Sequence, residues 1–262
     1  MTWASKTLGT PASEVIAAVR TGITIESIAT PRAKLVMREK DHQPTFKDEE
    51  ELADFDHVPV TKDDEIIGII DRGKGKLRDL SESMFMAADA SLLGYLEVAD
   101  TRQFAFLVRE NRIVGIVTLS DIQKLPVYCV LFSLLISVEM LLMECIRTAC
   151  HDDPDKWMAN LQKGAKDSIE GYWKEAQEKN IALLDKLSCA SFWQELTAAQ
   201  GLTLITADDF ATLERLKELR DLIAHGKEIA FTPVHALEIP SRVRDAMKIQ
   251  AVLQEKLKGL PA

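Results

Sequence analysis

Val58-Pro59-Val60, a polar turn from Thr61 to Glu65 and then Ile66-Ile67-Gly68-Ile69-Ile70 form the stretch that decides the fold. Its β-branched density predicts a strand, a hairpin turn and a second strand. The same grammar returns as Phe104 to Val108, a turn from Arg109 to Arg112 and Ile113-Val114-Gly115-Ile116-Val117. Gly68 and Gly115 stand 47 positions apart. A helix-like segment precedes each hairpin, Asp48 to Phe55 before the first and Asp89 to Val98 before the second. Ile25-Glu26-Ser27-Ile28 and Leu77-Arg78-Asp79-Leu80, further upstream, are also alike in pattern. An internal duplication of roughly fifty residues is the simplest account.

After Leu125-Pro126 the apolar period lengthens from two to about 3.6. Helices are expected over Val127 to Ala149, Asp155 to Lys179, Ile181 to Ala199, Asp208 to His225 and Ser241 to Lys258, punctuated by Pro154, Gly201 and Gly226. Short links between long helices imply a bundle. The expected fold class is α+β and multi-domain. An N-terminal segment (1–22), with a short helix from Ser13 to Arg20, leads into two repeats (23–76 and 77–125) and an all-α domain (126–262).

The 262 residues suffice for two packed cores, and 47% apolar content excludes a disordered chain. The formal charge is −9, with 16 basic and 21 acidic residues up to Leu125 and 16 and 20 after it. Neither half is a basic nucleic-acid platform, so any such contact must come from a local cluster. Four cysteines without C-x-x-C spacing indicate neither a disulfide scaffold nor a zinc module and fit a reducing cytoplasm. Met1 to Arg20 lacks the charged start and apolar core of a secretion signal, so none is expected. No dinucleotide fingerprint, Walker loop, nucleophile elbow or HExxH motif occurs. Hydride transfer, ATP hydrolysis, serine hydrolysis and zinc proteolysis therefore have no support.

The duplicated half, roughly residues 20 to 125, resembles a tandem pair of CBS (cystathionine β-synthase) domains of β-α-β-β-α repeats. Gly115-Ile116-Val117-Thr118-Leu119-Ser120-Asp121 fits that family's Gly-h-h-Thr-x-x-Asp. The resemblance implies an adenine nucleotide (AMP, ADP or ATP) as regulatory ligand, with Thr118 and Ser120 at a phosphate and Asp121 at ribose hydroxyls. Ala29 and Thr30, at the repeat's opening turn, would lie against the base. Unpaired amides at a helix start and two acceptors on one carboxylate suit those roles. A capped turn would be written in the same letters. Gly68-Ile69-Ile70-Asp71-Arg72-Gly73-Lys74 departs from the pattern, with Asp71 at the Thr position and Lys74 at the Asp position. Arg72 and Lys74 then either meet a polyphosphate or form a solvated turn.

Leu219-Arg220-Asp221-Leu222-Ile223-Ala224-His225-Gly226 resembles the signature of HEPN domains (higher eukaryotes and prokaryotes nucleotide-binding), an Arg-x4-His pair in a helical bundle. Thr206 and Asp209 read as a capping pair. Phe210, Leu213, Leu216, Leu219 and Ile223 read as the buried stripe, Arg220 as its border and Gly226 as the stop. His225 at the carbonyl end of a helix would favour its protonated form. Metal-free cleavage of a phosphodiester by its own 2′-hydroxyl needs a proton carrier and a fixed cation. Residues five apart on one helix diverge by about 140°. The resemblance therefore implies a homodimer in which Arg220 and His225 of two chains line one cleft, with Asp221 as the motif's polar residue beside Arg220 in the catalytic set and RNA as the substrate, and with no cofactor or metal required. The alternative is a dimer that senses a nucleotide without catalysis and signals to a partner protein.

Val127 to Met143 is apolar enough to raise a membrane span. Glu139 and Glu144, without flanking Lys or Arg clusters, favour a central bundle helix instead, which would also serve the dimer. A buried carboxylate needs a cation, so these two glutamates are expected partners of Arg220.

Overall fold

The computed structural model describes residues 17–18, 21–39, 55–71, 77–181, 185–230 and 232–260. The helices expected over Ser13 to Arg20 and Asp48 to Phe55 lie outside these apart from positions 17, 18 and 55, as do Arg72 and Lys74. The chain divides into two compact units, one of Gly22–Val127 with Ala230–Pro240 and one containing Tyr128–Ile229 and Ser241–Ala262.

The first unit holds two four-stranded sheets. Strands β1 (Thr30–Pro31), β2 (Arg38–Glu39), β3 (His57–Lys62) and β4 (Glu65–Asp71) precede β5 (Leu77–Asp79), β6 (Phe85–Ala87), β7 (Phe104–Arg109) and β8 (Arg112–Thr118). Both hairpins fall where the sequence places them, with two-residue turns shorter than expected. Asp63 and Asp64 have φ of 51° and 63°, and Glu110 and Asn111 have 48° and 62°. Two successive left-handed residues give the turn whose twist matches the flanking strands. Each hairpin also carries a register shift, at Val60/Thr61 and at Leu107/Val108.

Sheet order is β2-β3-β4-β5 and β1-β8-β7-β6. The opening strand of each repeat thus pairs antiparallel with the last strand of the other repeat: β1 with β8 and β5 with β4. The glycines of the duplicated hairpins mark these crossings. A Cβ at Gly68 would lie 2.5 Å from the Arg78 carbonyl oxygen, and one at Gly115 2.7 Å from that of Thr30. The counterpart of β5 is therefore Thr30–Pro31. Ile25–Ser27, which the sequence pattern matched to Leu77-Arg78-Asp79, is a 3₁₀ turn. Ile66, Ile69, Met84, Phe104, Phe106 and Ile116 bury one another across both sheets. Each such side chain contributes about 1.5–3 kcal/mol. Helix α1 (Leu92–Leu96), capped by Ser91, is buried on most of its surface.

The second unit is helical, built from most of α2 (Leu125–Cys150), α3 (Pro154–Met158), α4 (Lys163–Glu178), α5 (Phe192–Gly201), α6 (Ala207–Ala224) and the part of α7 (Pro233–Gly259) from Ser241 onward. Two expected helices are interrupted. The chain turns between α3 and α4 so that Trp157, Met158 and Leu161 are buried together. The Ser191 hydroxyl and Gln194 amide form a capping box that begins α5 late. Helix α7 starts earlier than expected, at Pro233, and runs through Pro240. The segment Ala230–Pro240, which includes the start of α7 and is expected from the sequence to be part of the helical region, groups with the strand-rich unit, where the Gln123 side-chain amide donates to the Ala230 carbonyl.

Helix α2 is long and apolar enough to cross a membrane by length and composition, and 56% of its most apolar stretch is buried within the protein. The four cysteines are free.

Candidate functional site

The strand-rich unit forms a half-open cavity of about 620 Å³. Thr30, Thr118, Ser120 and Asp121, four of the five residues singled out for a nucleotide, line it; Ala29 is not among its lining residues. The exchange of strands explains this meeting, because Thr30 on β1 pairs directly with Ile116 on β8.

Thr118 begins the short 3₁₀ turn Leu119–Gln123. Its N–H donates to Asp121 Oδ2 at 2.6 Å and its hydroxyl to the same oxygen at 3.2 Å, with Ser120 Oγ at 2.8 Å. Lys124 Nζ lies 2.6 Å from Asp121 Oδ1 and donates to the Ile28 carbonyl at 2.5 Å. A carboxylate offers about four acceptor positions. Three are engaged, so one remains for a ligand unless Lys124 or the Thr118 hydroxyl yields its place. Capping and ligand-holding thus draw on the same atoms.

Asp71, the first-repeat counterpart of Thr118, faces this cavity with His57. Its Oδ1 accepts from His57 Nδ1 at 2.9 Å and Arg78 Nη2 at 3.1 Å. The His57 ring lies 4.5 Å from that of Phe104, over which the Arg78 guanidinium stands at 5.3 Å. A carboxylate repels phosphate where a threonine would attract it, so this end of the cavity is unlike the Thr118 end.

In the helical unit, Thr206 and Asp209 cap α6 reciprocally, at 3.0 and 3.1 Å, and Leu213, Leu216, Leu219 and Ile223 are its buried stripe. Arg220 borders that stripe as expected. Its guanidinium donates to Glu139 Oε1 at 2.8 Å and Asp221 Oδ1 at 2.9 Å and stands 5.4 Å above the Phe192 ring. Glu139 is therefore the expected partner, whereas Glu144 is exposed. Burial pushes the Glu139 carboxyl above its ordinary value even against the adjacent guanidinium. Burial would also raise Asp221, but hydrogen bonding to Lys217 and the charges of Lys217, Arg220 and His225 hold it below the usual range. His225 ends α6, its N–H bonded to the Asp221 carbonyl at 3.1 Å, and Gly226 follows at φ +62°. The His225 side chain is exposed while Arg220 is turned inward.

Sequence reasoning missed Glu195. It is 2% exposed beside this cluster, and burial, reinforced by the Glu139 charge, pushes its carboxyl well above the ordinary value. Glu139 Oε2, Glu195 Oε2 and Arg220 Nε are buried without a hydrogen-bond partner. The available signal was a charge inside the apolar stripe of Phe192, Leu196 and Ala199. Among the described residues, no group of His, Cys, Asp and Glu is arranged to hold a metal.

No protein-family model matches the chain, and no curated protein matches it. Among solved structures, the chain is similar to the CBS domain of the bacterial CNNM/CorC family Mg²⁺ transporter in complex with ATP. The identity is 20% over 43% of this chain and 92% of that one, with a TM-score of 0.31. A second structure of that domain matches at 20% identity over 45% and 84%, TM-score 0.32. A third, with an inhibitor, matches at 18% over 45% and 85%, TM-score 0.31.

Proposed function

We propose that the strand-rich unit is a CBS pair that senses an adenine nucleotide and regulates the helical unit. The observation that carries this reading is the cavity itself. Residues 88 positions apart, Thr30 and Thr118, share its lining with Ser120 and Asp121 because the repeats exchange strands. Its volume suits a small-molecule ligand. Calorimetry of the full chain with AMP, ADP and ATP tests it: one of them binds, and Thr118→Val or Asp121→Ala weakens that binding at least about tenfold. Unchanged affinity in both variants rejects the assignment.

For the helical unit, we propose a HEPN-like homodimer acting as a metal-independent endoribonuclease, with His225 moving protons, Arg220 as the fixed cation and Asp221 orienting Arg220. The motif and the exposure of His225 support it. So does the apolar stripe of exposed Cys129, Phe132 and Met140 with half-buried Ile136 and Met143 on α2, a face suited to a second copy. Incubation with unstructured RNA in EDTA should give cleavage that His225→Ala abolishes. One observation favours the second reading, a nucleotide-sensing dimer without catalysis: Glu139, Asp221 and Phe192 already engage the Arg220 guanidinium. Intact RNA with nucleotide binding retained selects that reading.

A further inference from the structure

The cavity has a wall that neither repeat supplies. Ala230, Thr232, Pro233 and Ala236 line it, although they follow the end of the second repeat by more than a hundred positions. The segment is fastened there by the Gln123 side-chain amide on the Ala230 carbonyl. The Thr232 hydroxyl accepts the His235 N–H at 3.3 Å, and the Thr232 carbonyl accepts the Ala236 N–H at 3.0 Å, so the first turn of α7 is built at the cavity's edge. Ala230 and Ala236 are 5% and 4% exposed. Pro240 has no N–H, which releases the Ala236 carbonyl from the usual helical bond. From Ser241 onward the same helix belongs to the helical unit, where Val243, Ala246, Ile249 and Leu253 are buried.

We propose that the first turn of α7, with Ala230 and Thr232 before it, forms a ligand-contacting wall of this cavity, so that the bound nucleotide sets the stability of a helix shared with the helical unit. The inference rests on the nucleotide reading above. A ligand that reaches Thr118 and Asp121 in this half-open cavity shares it with Thr232 and Ala236, which line the same space. Openings that detach this wall then abolish binding, and the ligand suppresses them in proportion to its excess over Kd.

The experiment uses the full chain, with ATP as the probe. With ATP a hundredfold above Kd, amide exchange in peptides from Pro233–Gly259 should slow, by up to about a hundredfold where exchange requires this opening. Ala236→Trp, which fills the wall, should lower ATP affinity at least about tenfold, whereas Lys248→Ala, exposed further along α7, should leave it unchanged. Wild-type binding that Thr118→Val weakens, combined with unaltered α7 exchange, overturns the inference and leaves the nucleotide reading standing. Failure of AMP, ADP and ATP alike to bind the wild type overturns both. If Ala236→Trp does not fold by circular dichroism, the wild-type exchange measurement decides alone.

Discussion

Gly68 and Gly115 occupy the same place in two halves of one unit, each directly beneath the strand that the other repeat lends to its sheet. Neither site has room for a methyl group: the nearest atoms to an added Cβ are backbone oxygens at 2.5 and 2.7 Å. Relief requires moving a whole edge strand. Gly68→Ala and Gly115→Ala should each lower stability by about 1–3 kcal/mol, the range for overpacking. Urea unfolding of the two variants checks this, and a loss below about 0.5 kcal/mol in both would show that the lent strands move freely.

The Arg220–Glu139 pair is 23% and 16% exposed on its side chains. Removing one partner leaves the other charge half-desolvated, which costs roughly 2–4 kcal/mol, somewhat less than for a fully buried pair. Arg220→Ala should therefore destabilise the protein, and Glu139→Gln placed on top of it should recover most of the loss. A double-mutant cycle by denaturant unfolding measures the coupling. Additive effects would mean that the two side chains do not interact in solution. RNA assays on Arg220→Ala must be read against this structural loss.

Burial holds the Glu195 carboxyl protonated above the pH at which the unfolded chain releases its proton, about pH 4.3. Between those two pKa values the native state binds the extra proton, so stability falls as pH rises through the window. Below the unfolded value the contribution is fully present. Glu195→Gln should accordingly raise Tm at pH 7–8 and make little difference near pH 4. Thermal unfolding across that range checks the sign, and an advantage that grows toward acid would reverse it.

Thiol chemistry separates the cysteines. Burial, reinforced by the nearby Glu144 charge, pushes the Cys145 thiol up to about 11, and the thiol donates to the Leu253 carbonyl at 3.4 Å. Cys129 is exposed on the apolar face of α2. At pH 7.5 an alkylating reagent should modify Cys129 and spare Cys145, as read by peptide mass spectrometry. If the stripe is the dimer face, Cys129 labelling should also slow as protein concentration rises; a rate independent of concentration removes that face from the dimer.

The hairpins were legible because five-residue β-branched runs carry a strong local signal, and their spacing revealed the duplication. The exchange was not, because β1 and β5 have two and three residues, too few for any period, and their partners are set by tertiary packing. The last helix is expected from Ser241; Thr232 and Pro233, a cap and a favoured first-turn residue, start it eight positions earlier. The partner of Arg220 was legible from solvation alone, since a carboxylate among apolar neighbours demands a cation. Glu195 escaped because its stripe was read as one long helix from Ile181, in which its face could not be located.

The pairing of Pro31 with Gly115 joins points 84 positions apart in the sequence. Nascent chain leaving the ribosome therefore cannot complete the second sheet until β8 has emerged, and the first repeat must wait for β5. A chain cut between β4 and β5 would leave the β4 and β8 edges unpaired on its two pieces, edges that a second copy of the same piece could cover. Each repeat thus completes its sheet only with a strand that the other supplies, as two subunits of an exchanged dimer would.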